Sequence, residues 1–383
     1  MFPNPDLAWN RHTKSSLVAL TPAVIASISI FADFTPLPNT PWYSFAVYPD
    51  KTLTVPVFEY LDLNMKSKAH LLGPCKGIFC IENLFHNVAL WNPATREMRT
   101  LSVPHLSITY RSFIQAHKHV FGFGFDPVTN DHKVVSIEMV WMESETRYIA
   151  CDRKCVSIYS MHDDSWREFT GDFPKCYVCY SWARAPYVDG SLYPYIDGVY
   201  YWCATDDNNR PVYLSFHMSD EVFQVIPEKG GRPDRGMYLG PWGGLVKDWG
   251  DLVGSRFGVY NNSLAWIESY PLGCDVPNVF DIWVLKEGAW TKEVLGPFAG
   301  ATLPLGFWKT GALLVQDTEQ SLFLANPNTL EMKDLGTVAR EAFVYHESLI
   351  SVKRRGEELD NSTAKFVDAW YPERWDDDSS DED

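Results

Sequence analysis

The sequence lacks the features that define several large classes of protein. No apolar run reaches the roughly 18 residues of a membrane-spanning helix, so we expect no membrane span. The 383 residues include only eight cysteines, far fewer than a disulfide-stapled extracellular domain uses. Lys and Arg number 33 against 49 Asp and Glu, which gives a formal net charge of −16. Because affinity for phosphate backbones comes mainly from Lys and Arg, we expect no nucleic-acid partner.

Helical periodicity is also absent, and the residues that are abundant favour β structure. The chain has 15 Trp, 19 Tyr and 22 Phe beside 24 Gly and 25 Pro. Aromatic side chains favour strands, whereas Gly and Pro interrupt helices and form turns. The length fits two or three average domains or one large all-β domain. The composition favours the all-β alternative.

A turn motif recurs three times along the chain. In each copy an apolar strand is followed by Asn or Asp, Pro, any residue and Thr, and then by a second strand; the copies span 89–101, 123–137 and 322–335. Asn or Asp accepts a backbone hydrogen bond in such a turn, and Pro supplies the required φ near −65°. The motif therefore predicts three β-hairpins.

The hairpins belong to units of about 40–50 residues, a length typical of the four-stranded blades of a β-propeller. We predict a single all-β propeller of about six four-stranded blades over residues 14–353. Five of the blades are placed at 69–101, 119–169, 192–227, 251–295 and 303–336. A large sandwich or two β-domains is the alternative, which the regular repetition disfavours.

The two ends of the chain are predicted to form the remaining blade. Strands within 14–60 would join those of 342–353, which closes the propeller and leaves no open sheet edge. The apolar stretch 17–31 has some features of a signal peptide, but a Pro interrupts it and two short strands are favoured. Residues 1–13 are predicted to be a disordered or remnant N-terminus and 354–383 a disordered acidic tail.

Several of these segments resemble one plant family. The runs LLGPCKGIFCIENLFHNVALWNPATREMRTLSVP and FGFGFDPVTNDHKVVSI, with VSIYSMHDDSWREF, IDGVYYWCA, LSFHMSDEVFQVIP and DIWVLKEGAWTKE, follow in the order seen in the C-terminal domain of plant F-box proteins. The chain is thereby identified as similar to the F-box-associated, propeller-like domain, and the sequences of its motifs are most similar to those of the S-locus F-box group. The resemblance covers roughly residues 65–336.

The resemblance implies a function in ubiquitination. Members of the family are substrate receptors of cullin-RING (SCF-type) ubiquitin ligases, and the associated domain captures the protein target. In the S-locus group, which governs self-incompatibility, the implied target is a secreted, basic ribonuclease. The few cysteines fit a reduced, intracellular chain, so we expect a cytoplasmic location, with the nucleus as a second one.

The F-box that docks such receptors on a Skp-type linker is not recognisable here. The first residues of an F-box are similar only to Pro5, Asp6 and Leu7, and residues 16–60 have no helical periodicity. Docking on a Skp-type linker is therefore not expected. An F-box-less propeller with no ligase role is one alternative function, and a secreted sugar-binding propeller is another.

The sequence contains few patterns that are typical of a catalytic or metal-binding site. Cys151, Cys155, Cys176 and Cys179 have spacing close to a structural zinc pattern, and His162 could replace one ligand, but no Gly-containing knuckle accompanies them. Packing of small cysteine side chains is the favoured explanation. Because no nucleophile elbow or phosphate-binding loop is found, we expect no enzyme, cofactor or metal. The alternating Phe and Gly of 121–125 predict a tightly packed inner strand.

Two aromatic segments are the candidates for partner binding. Tyr, Trp and Arg dominate the energetics of protein interfaces, and the segments 176–187 and 238–250 contain Tyr177, Tyr180, Trp182, Arg184, Trp242, Lys247 and Trp249. The alternative is that about half of the aromatics pack beneath the loops.

The net negative charge of the chain has two parts. Six negative charges lie in the last eight residues, where Ser379 and Ser380 suit an acidophilic kinase. The rest of the chain carries −10, which suits a basic protein target.

Overall fold

The computed structural model describes residues 22–28, 43–48, 57–61, 69–83, 88–104, 114–142, 149–178, 194–206, 210–227, 238–239, 245–246, 256–269, 278–286, 289–308, 311–339 and 341–353. Twenty-seven β strands lie within these residues. None of the described residues forms a helix long and apolar enough to cross a membrane. The chain begins with β1 (Pro22–Ile28), β2 (Tyr43–Tyr48) and β3 (Val57–Leu61).

Two four-stranded antiparallel sheets follow. Sheet 1 contains β4 (Ala69–Cys75), β5 (Ile78–Asn83), β6 (Val88–Asn92) and β7 (Glu97–Leu101). Sheet 2 contains β8 (Ile114–Asp126), β9 (Asp131–Met142), β10 (Ile149–Ser160) and β11 (Ser165–Glu168). In both sheets each strand pairs with the next strand along the chain.

Sheet 3 has five strands and is followed by a two-stranded ribbon. Sheet 3 contains β12 (Cys176–Val178), β13 (Tyr195–Ile196), β14 (Val199–Asp206), β15 (Pro211–His217) and β16 (Val222–Pro227). The ribbon pairs β17 (Tyr238–Leu239) with β18 (Leu245–Val246).

Sheets 4 and 5 are again four-stranded meanders. Sheet 4 contains β19 (Arg256–Tyr260), β20 (Ser263–Ser269), β21 (Asn278–Lys286) and β22 (Ala289–Phe298). Sheet 5 contains β23 (Leu303–Phe307), β24 (Leu313–Gln316), β25 (Ser321–Ala325) and β26 (Met332–Val338).

Sheet 6 combines strands from both ends of the chain. The last strand, β27 (Glu341–His346), pairs antiparallel with β1, which pairs with β2, which pairs with β3. The register of the long-range pair runs from Pro22 opposite His346 to Ser27 opposite Glu341.

The predicted all-β, propeller-like architecture is confirmed, but the predicted blade composition needs correction. Among the sheets of the described residues, five have four strands, one has five and the ribbon has two, whereas about six four-stranded blades were predicted. Sheet 3 is the exception because β12 and β13 both pair with the same edge of β14. Its first strand is thus split into two short pieces by residues 179–193.

The core lies between neighbouring sheets. Separate clusters of buried apolar side chains join sheets 1 and 2, 2 and 3, 3 and 4, 4 and 5, and 5 and 6. Between sheets 6 and 1, the ring of Phe79 lies 5.4 Å from that of Phe343 and 5.9 Å from that of Tyr345. Burial of one large apolar side chain stabilises a fold by about 1.5–3 kcal/mol, so packing between sheets dominates stability.

The Phe–Gly strand shows why this packing is so close. On β8, Phe121 and Phe123 belong to the cluster shared with sheet 1, and the intervening Gly122 faces sheet 3. A Cβ atom at Gly122 would lie 2.3 Å from Cζ2 of Trp202, whose Nε1 donates a hydrogen bond to the carbonyl of Phe121 at 3.1 Å. The predicted tightly packed inner strand is therefore confirmed.

The three Asx-Pro-x-Thr segments form the turns that the sequence predicts. In each, the first side chain accepts the N–H of the third residue at 2.9 Å: Asn92 from Ala94, Asp126 from Val128, and Asn326 from Asn328. The residue after Thr adopts a positive φ of 58° at Arg96, 56° at Asn130 and 60° at Leu330. Local hydrogen bonding thus reverses the chain at each motif.

One of these turns also ties sheet 2 to sheet 3. The ammonium of Lys133 lies 2.8 Å from Asp126 Oδ2 and 2.8 Å from Glu221 Oε1, and it donates to the carbonyl of Met218 at 2.7 Å. Glu221 also pairs with Arg167. Because Asp126 and Lys133 are buried, their pairing offsets the cost of removing two charges from water.

The network shifts the pKa values of its members. Burial alone would raise the pKa of Asp126, but hydrogen bonds from Lys133, Ser219 and Thr129 hold it well below its usual range. Burial likewise opposes the shift at Glu221, where Lys133 and Arg167 lower the pKa of the carboxyl. The pKa of Lys133 is raised despite burial, because Asp126 and Glu221 favour its charged form.

We expect Gly122→Ala to destabilise the protein by about 2 kcal/mol, because the new methyl group overlaps the buried Trp202 ring. The free energy of unfolding in urea measures the effect. Adding Trp202→Phe should recover part of the loss, so the double variant is more stable than the sum of the single losses implies. Strict additivity of the two losses would contradict the proposed contact.

We expect Lys133→Met to lower the free energy of unfolding by about 3 kcal/mol at pH 7, because it leaves the Asp126 carboxylate buried without a cation. The matched control is Lys286→Met, which removes a lysine that is half exposed and 3.0 Å from Glu293. An exposed pair contributes at most about 1 kcal/mol, so the control should unfold almost as the parent does.

The loss at Lys133→Met should shrink in acid. A carboxyl with a lowered pKa contributes stability above its unfolded pKa of about 4, and this stability is lost as the pH falls through the folded pKa. The difference between parent and variant is therefore expected to narrow as the pH is lowered from 7 towards 2. A difference that stays constant over this range would refute the role of the carboxyls.

Candidate binding faces

The connections of sheets 1 to 4 divide between two edges. Successive antiparallel strands run in opposite directions, so their connections alternate between the two ends of a sheet. The connections between first and second and between third and fourth strands are short; they define the turn edge, at 76–77, 93–96, 127–130, 161–164, 197–198, 218–221 and 261–262. The opposite ends of the sheets define the loop edge.

Contacts between sheets show that these turns lie on one side of the molecule. His132 Nε2 and the Cys75 carbonyl are 3.1 Å apart, which joins the turns of sheets 2 and 1. The Tyr195 hydroxyl donates to the Phe125 carbonyl at 2.7 Å, and Asn262 Nδ2 donates to Asp197 Oδ2 at 3.0 Å. The turn edge is therefore continuous from sheet 1 to sheet 4.

The longer connections join strand ends away from the turn edge. They follow Met142 in sheet 2 and Ser269 in sheet 4, and a further long connection links sheets 3 and 4. Long connections on a rigid scaffold are where proteins commonly place binding residues. The loop edge is thus the candidate binding face that the topology favours.

Most of the predicted binding residues cannot be located from these strands. Tyr177 lies on β12, but Tyr180, Trp182, Arg184, Trp242, Lys247 and Trp249 lie outside the described residues, as do Ser379 and Ser380. The strands on either side of Trp242 pair with each other, Tyr238 opposite Val246 and Leu239 opposite Leu245. Tyr180, Trp182 and Arg184 lie in sequence between β12 and β13. These two strands both pair with the same edge of β14 and together form the first strand of sheet 3.

Tyr177 is fixed by a neighbour that sequence reasoning missed. The ammonium of Lys154 lies 5.2 Å from the ring centre of Tyr177 and 4.8 Å from that of Phe173, and it donates to the Cys176 carbonyl at 2.8 Å. Such cation–π contacts orient a half-buried ring. A signal was present, because Lys154 is in phase with Val156 and Ile158, whose side chains pack against sheet 3.

The cysteines of the zinc-like spacing have different surroundings. Cys176 is buried in the apolar cluster between sheets 2 and 3, whereas Cys155 is partly exposed on β10. Burial raises the pKa of the Cys155 thiol, which disfavours the thiolate that zinc binds. Cys179 lies outside the described residues. Within the part of the chain that the structure describes, no three His, Cys, Asp or Glu side chains form a metal-binding group.

Comparison with curated proteins finds F-box proteins of Arabidopsis thaliana. F-box/kelch-repeat protein At3g23880 is 26% identical over 158 residues, which cover 41% of this chain and 38% of the relative. F-box protein At3g07870 is 24% identical over 311 residues, which cover 69% and 65%. The matched regions thus span less than two thirds of each relative's length.

Solved structures give only weak similarity. The propeller of Dos1 aligns over 83% of this chain and 82% of that chain, with 9% sequence identity and a TM-score of 0.32. TolB from Acinetobacter baumannii aligns over 77% and 66%, with 8% identity and a TM-score of 0.27.

The comparison with protein families is decisive. The model of the F-box associated beta propeller domain matches residues 34–298, which is more than half of the chain. This range includes the whole of sheets 1 to 4 and two strands of sheet 6. The chain belongs to the F-box-associated β-propeller domain family.

Proposed function

We propose that this chain is the substrate-recognition domain of an SCF-type ubiquitin ligase receptor, and that it captures a protein target for ubiquitination. The observation that carries the proposal is the family match over residues 34–298, together with relatives that are named as F-box proteins. In this function the domain binds and orients a target, and the chemistry belongs to other subunits.

We infer that the loop edge is the face that holds the target. The sheets supply a scaffold whose both faces are buried, so the loops can present side chains without loss of the core. The contacts of Lys154 hold Tyr177 at the start of the aromatic segment 176–187. Tyr180, Trp182, Arg184, Trp242, Lys247 and Trp249 would complete the binding face.

The acidic charge supports a basic protein target. The chain outside its last eight residues carries −10, and complementary charge accelerates and orients association. A ribonuclease of the kind implied by the S-locus resemblance is the target class that we propose, which would place the protein in self-incompatibility. The cytoplasm is the proposed location, with the nucleus as the alternative.

A function without a ligase is the second candidate. The family match over residues 34–298 is to the F-box associated domain, which accommodates this function as well. Such a propeller would bind the same target but would not recruit a Skp-type linker. Immunoprecipitation of the protein as it is made in its source tissue separates the two functions, because recovery of a Skp-type linker supports the ligase receptor and recovery of the target without a linker supports the binding protein.

We also propose that residues 14–353 form one propeller closed by its two ends. The pairing of β27 with β1 supports this proposal, as does the packing of β27 against sheet 5. The contacts of Phe79 with Phe343 and Tyr345 support a continuation of that packing to sheet 1.

Alanine substitution tests the binding face. We expect Trp182→Ala, Arg184→Ala and Trp249→Ala each to weaken target binding by about 10-fold or more, because truncation of interface Trp and Arg side chains usually costs over 1.4 kcal/mol. The affinity is measured by calorimetric titration of a basic secreted ribonuclease of the source plant. Val294→Ala, on the outer strand β22, is the control and should bind as the parent does. Unchanged affinity in all three variants would reject the proposed face.

Phosphorylation of the tail is a separate proposal. Ser379 and Ser380 each have an acidic residue three positions later, Glu382 and Asp383, which suits an acidophilic kinase. We expect such a kinase to add phosphate to the purified protein and Ser379→Ala/Ser380→Ala to abolish it, as measured by mass spectrometry. Incorporation that persists in the double variant would place the site elsewhere.

A further inference from the structure

A second surface lies on the turn edge, where four turns of sheets 2 and 3 meet. We call it the turn patch and define it by three apolar and three acidic side chains: Pro127, Val128, Val222, Asp163, Asp197 and Asp220. All six are exposed. Val128 is 81% exposed and Val222 is 45% exposed, although valine is usually buried in folded proteins.

The exposure of Val128 is not required by the turn that carries it. Val128 occupies the variable position of the Asx-Pro-x-Thr motif, and the equivalent residues are Ala94 and Asn328. All three turns have the same hydrogen bond from this residue to the Asx side chain, at 2.9 Å. The turn thus accepts Ala, Val or Asn at this position, and the formation of the turn does not explain why residue 128 is a valine.

The patch is held rigidly by the network beneath it. Asp126 Oδ1 accepts hydrogen bonds from the N–H of Val128 at 2.9 Å and from the hydroxyl of Ser219 at 2.5 Å. Lys133 binds Glu221, the residue before Val222. Val128 therefore lies in one turn and Val222 directly follows another, and both turns contact the same buried Asp126–Lys133 pair. Little conformational entropy remains to be lost when a partner binds.

The other two turns are joined to the same base. Asp131, at the end of the Val128 turn, accepts the N–H of His162 at 2.8 Å and the hydroxyl of Ser160 at 2.6 Å, which fixes the turn that bears Asp163. Pro127 packs against Gly198, the neighbour of Asp197. These contacts place acidic side chains around the apolar ones.

The charge of the patch has one sign. The turns at 127–130, 161–164, 197–198 and 218–221 contain five acidic residues and no Lys or Arg. Asp164 pairs with Arg99, and Glu221 pairs with Lys133 and Arg167. The exposed carboxylates of Asp163, Asp197 and Asp220 face solvent, so an approaching cation gains from all three.

We propose that the turn patch is a docking surface for a basic protein segment that presents an apolar side chain. The apolar group would cover Val128 and Val222, while flanking Lys or Arg residues would lie near Asp163, Asp197 and Asp220. A contiguous apolar patch with a polar rim is typical of protein interaction sites, and Pro127, Val128 and Val222 would form such a patch. This surface lies on the edge opposite the proposed target-binding loops, so it would allow a second protein to bind at the same time.

Selection from a displayed library of random 12-residue peptides tests the proposal. The parent protein is the bait, and Val128→Ser/Val222→Ser is the bait for counter-selection. The enriched peptides are expected to contain two or more Lys or Arg within a few positions of a large apolar residue. A synthetic peptide from this pool is then titrated by fluorescence anisotropy.

We expect the double variant to bind this peptide at least 10-fold more weakly than the parent. The matched control is Val294→Ser/Val338→Ser, which changes two valines that are 56% and 44% exposed on the outer strands of sheets 4 and 5. The control should bind as the parent does. Trp182→Ala should also leave peptide binding unchanged, which separates this surface from the loop edge.

Three results would overturn the proposal: enrichment of neutral or acidic peptides, equal binding by the parent and the double variant, or no enrichment at all. Thermal unfolding of each variant shows whether a loss of binding reflects a loss of fold. If Val128→Ser/Val222→Ser unfolds early, Asp163→Asn/Asp220→Asn replaces it, and unaltered peptide affinity in that variant overturns the proposal in the same way.

Discussion

The packing of each sheet against the next is the interaction on which this structure depends. A sheet with two apolar faces is unstable in water until both faces are covered, and here the neighbouring sheets cover them. Strand β8 shows how demanding this arrangement is, because one of its faces packs large Phe side chains against sheet 1 while the other needs Gly122 to admit Trp202. Stability is therefore shared between sheets, since each of these apolar clusters of the described residues spans two neighbouring sheets.

This division leaves the two edges free to differ. At the turn edge, Asn or Asp side chains close the hairpins. The Asp126–Lys133 pair also connects a turn of sheet 2 to sheet 3, because Lys133 donates to the Met218 carbonyl. At the loop edge, the connections after Met142 and Ser269 are longer, with six and eight residues. One scaffold thus combines short hairpin turns at one edge with longer connections at the other.

Much of the fold was predictable because its signals are local. Asx-Pro-x-Thr turns and strand alternation are properties of a few consecutive residues, and they located the hairpins correctly. The split of the first strand of sheet 3 was not predictable, since the short β12 and β13 are defined only by their shared partner β14. Lys133 was missed for a similar reason, because its partner Glu221 belongs to the next sheet. Lys154 was missed although its phase with Val156 and Ile158 places it on the face towards sheet 3. Of the predicted binding residues, Tyr177 alone lies within the part of the chain that the structure describes.

The pairing of β27 with β1 has a consequence for synthesis of the protein. The paired residues are separated by more than 300 positions, and ribosomes add roughly 5–20 residues per second. Sheet 6 therefore cannot form until roughly 15–60 s after its first strand has been made. During that interval the edge of β1 that later receives β27 has no partner from its own sheet, and an unpaired strand edge is a template for aggregation. The order of synthesis thus leaves this edge of β1 open until the last strand emerges, and a chaperone that covers it would prevent aggregation.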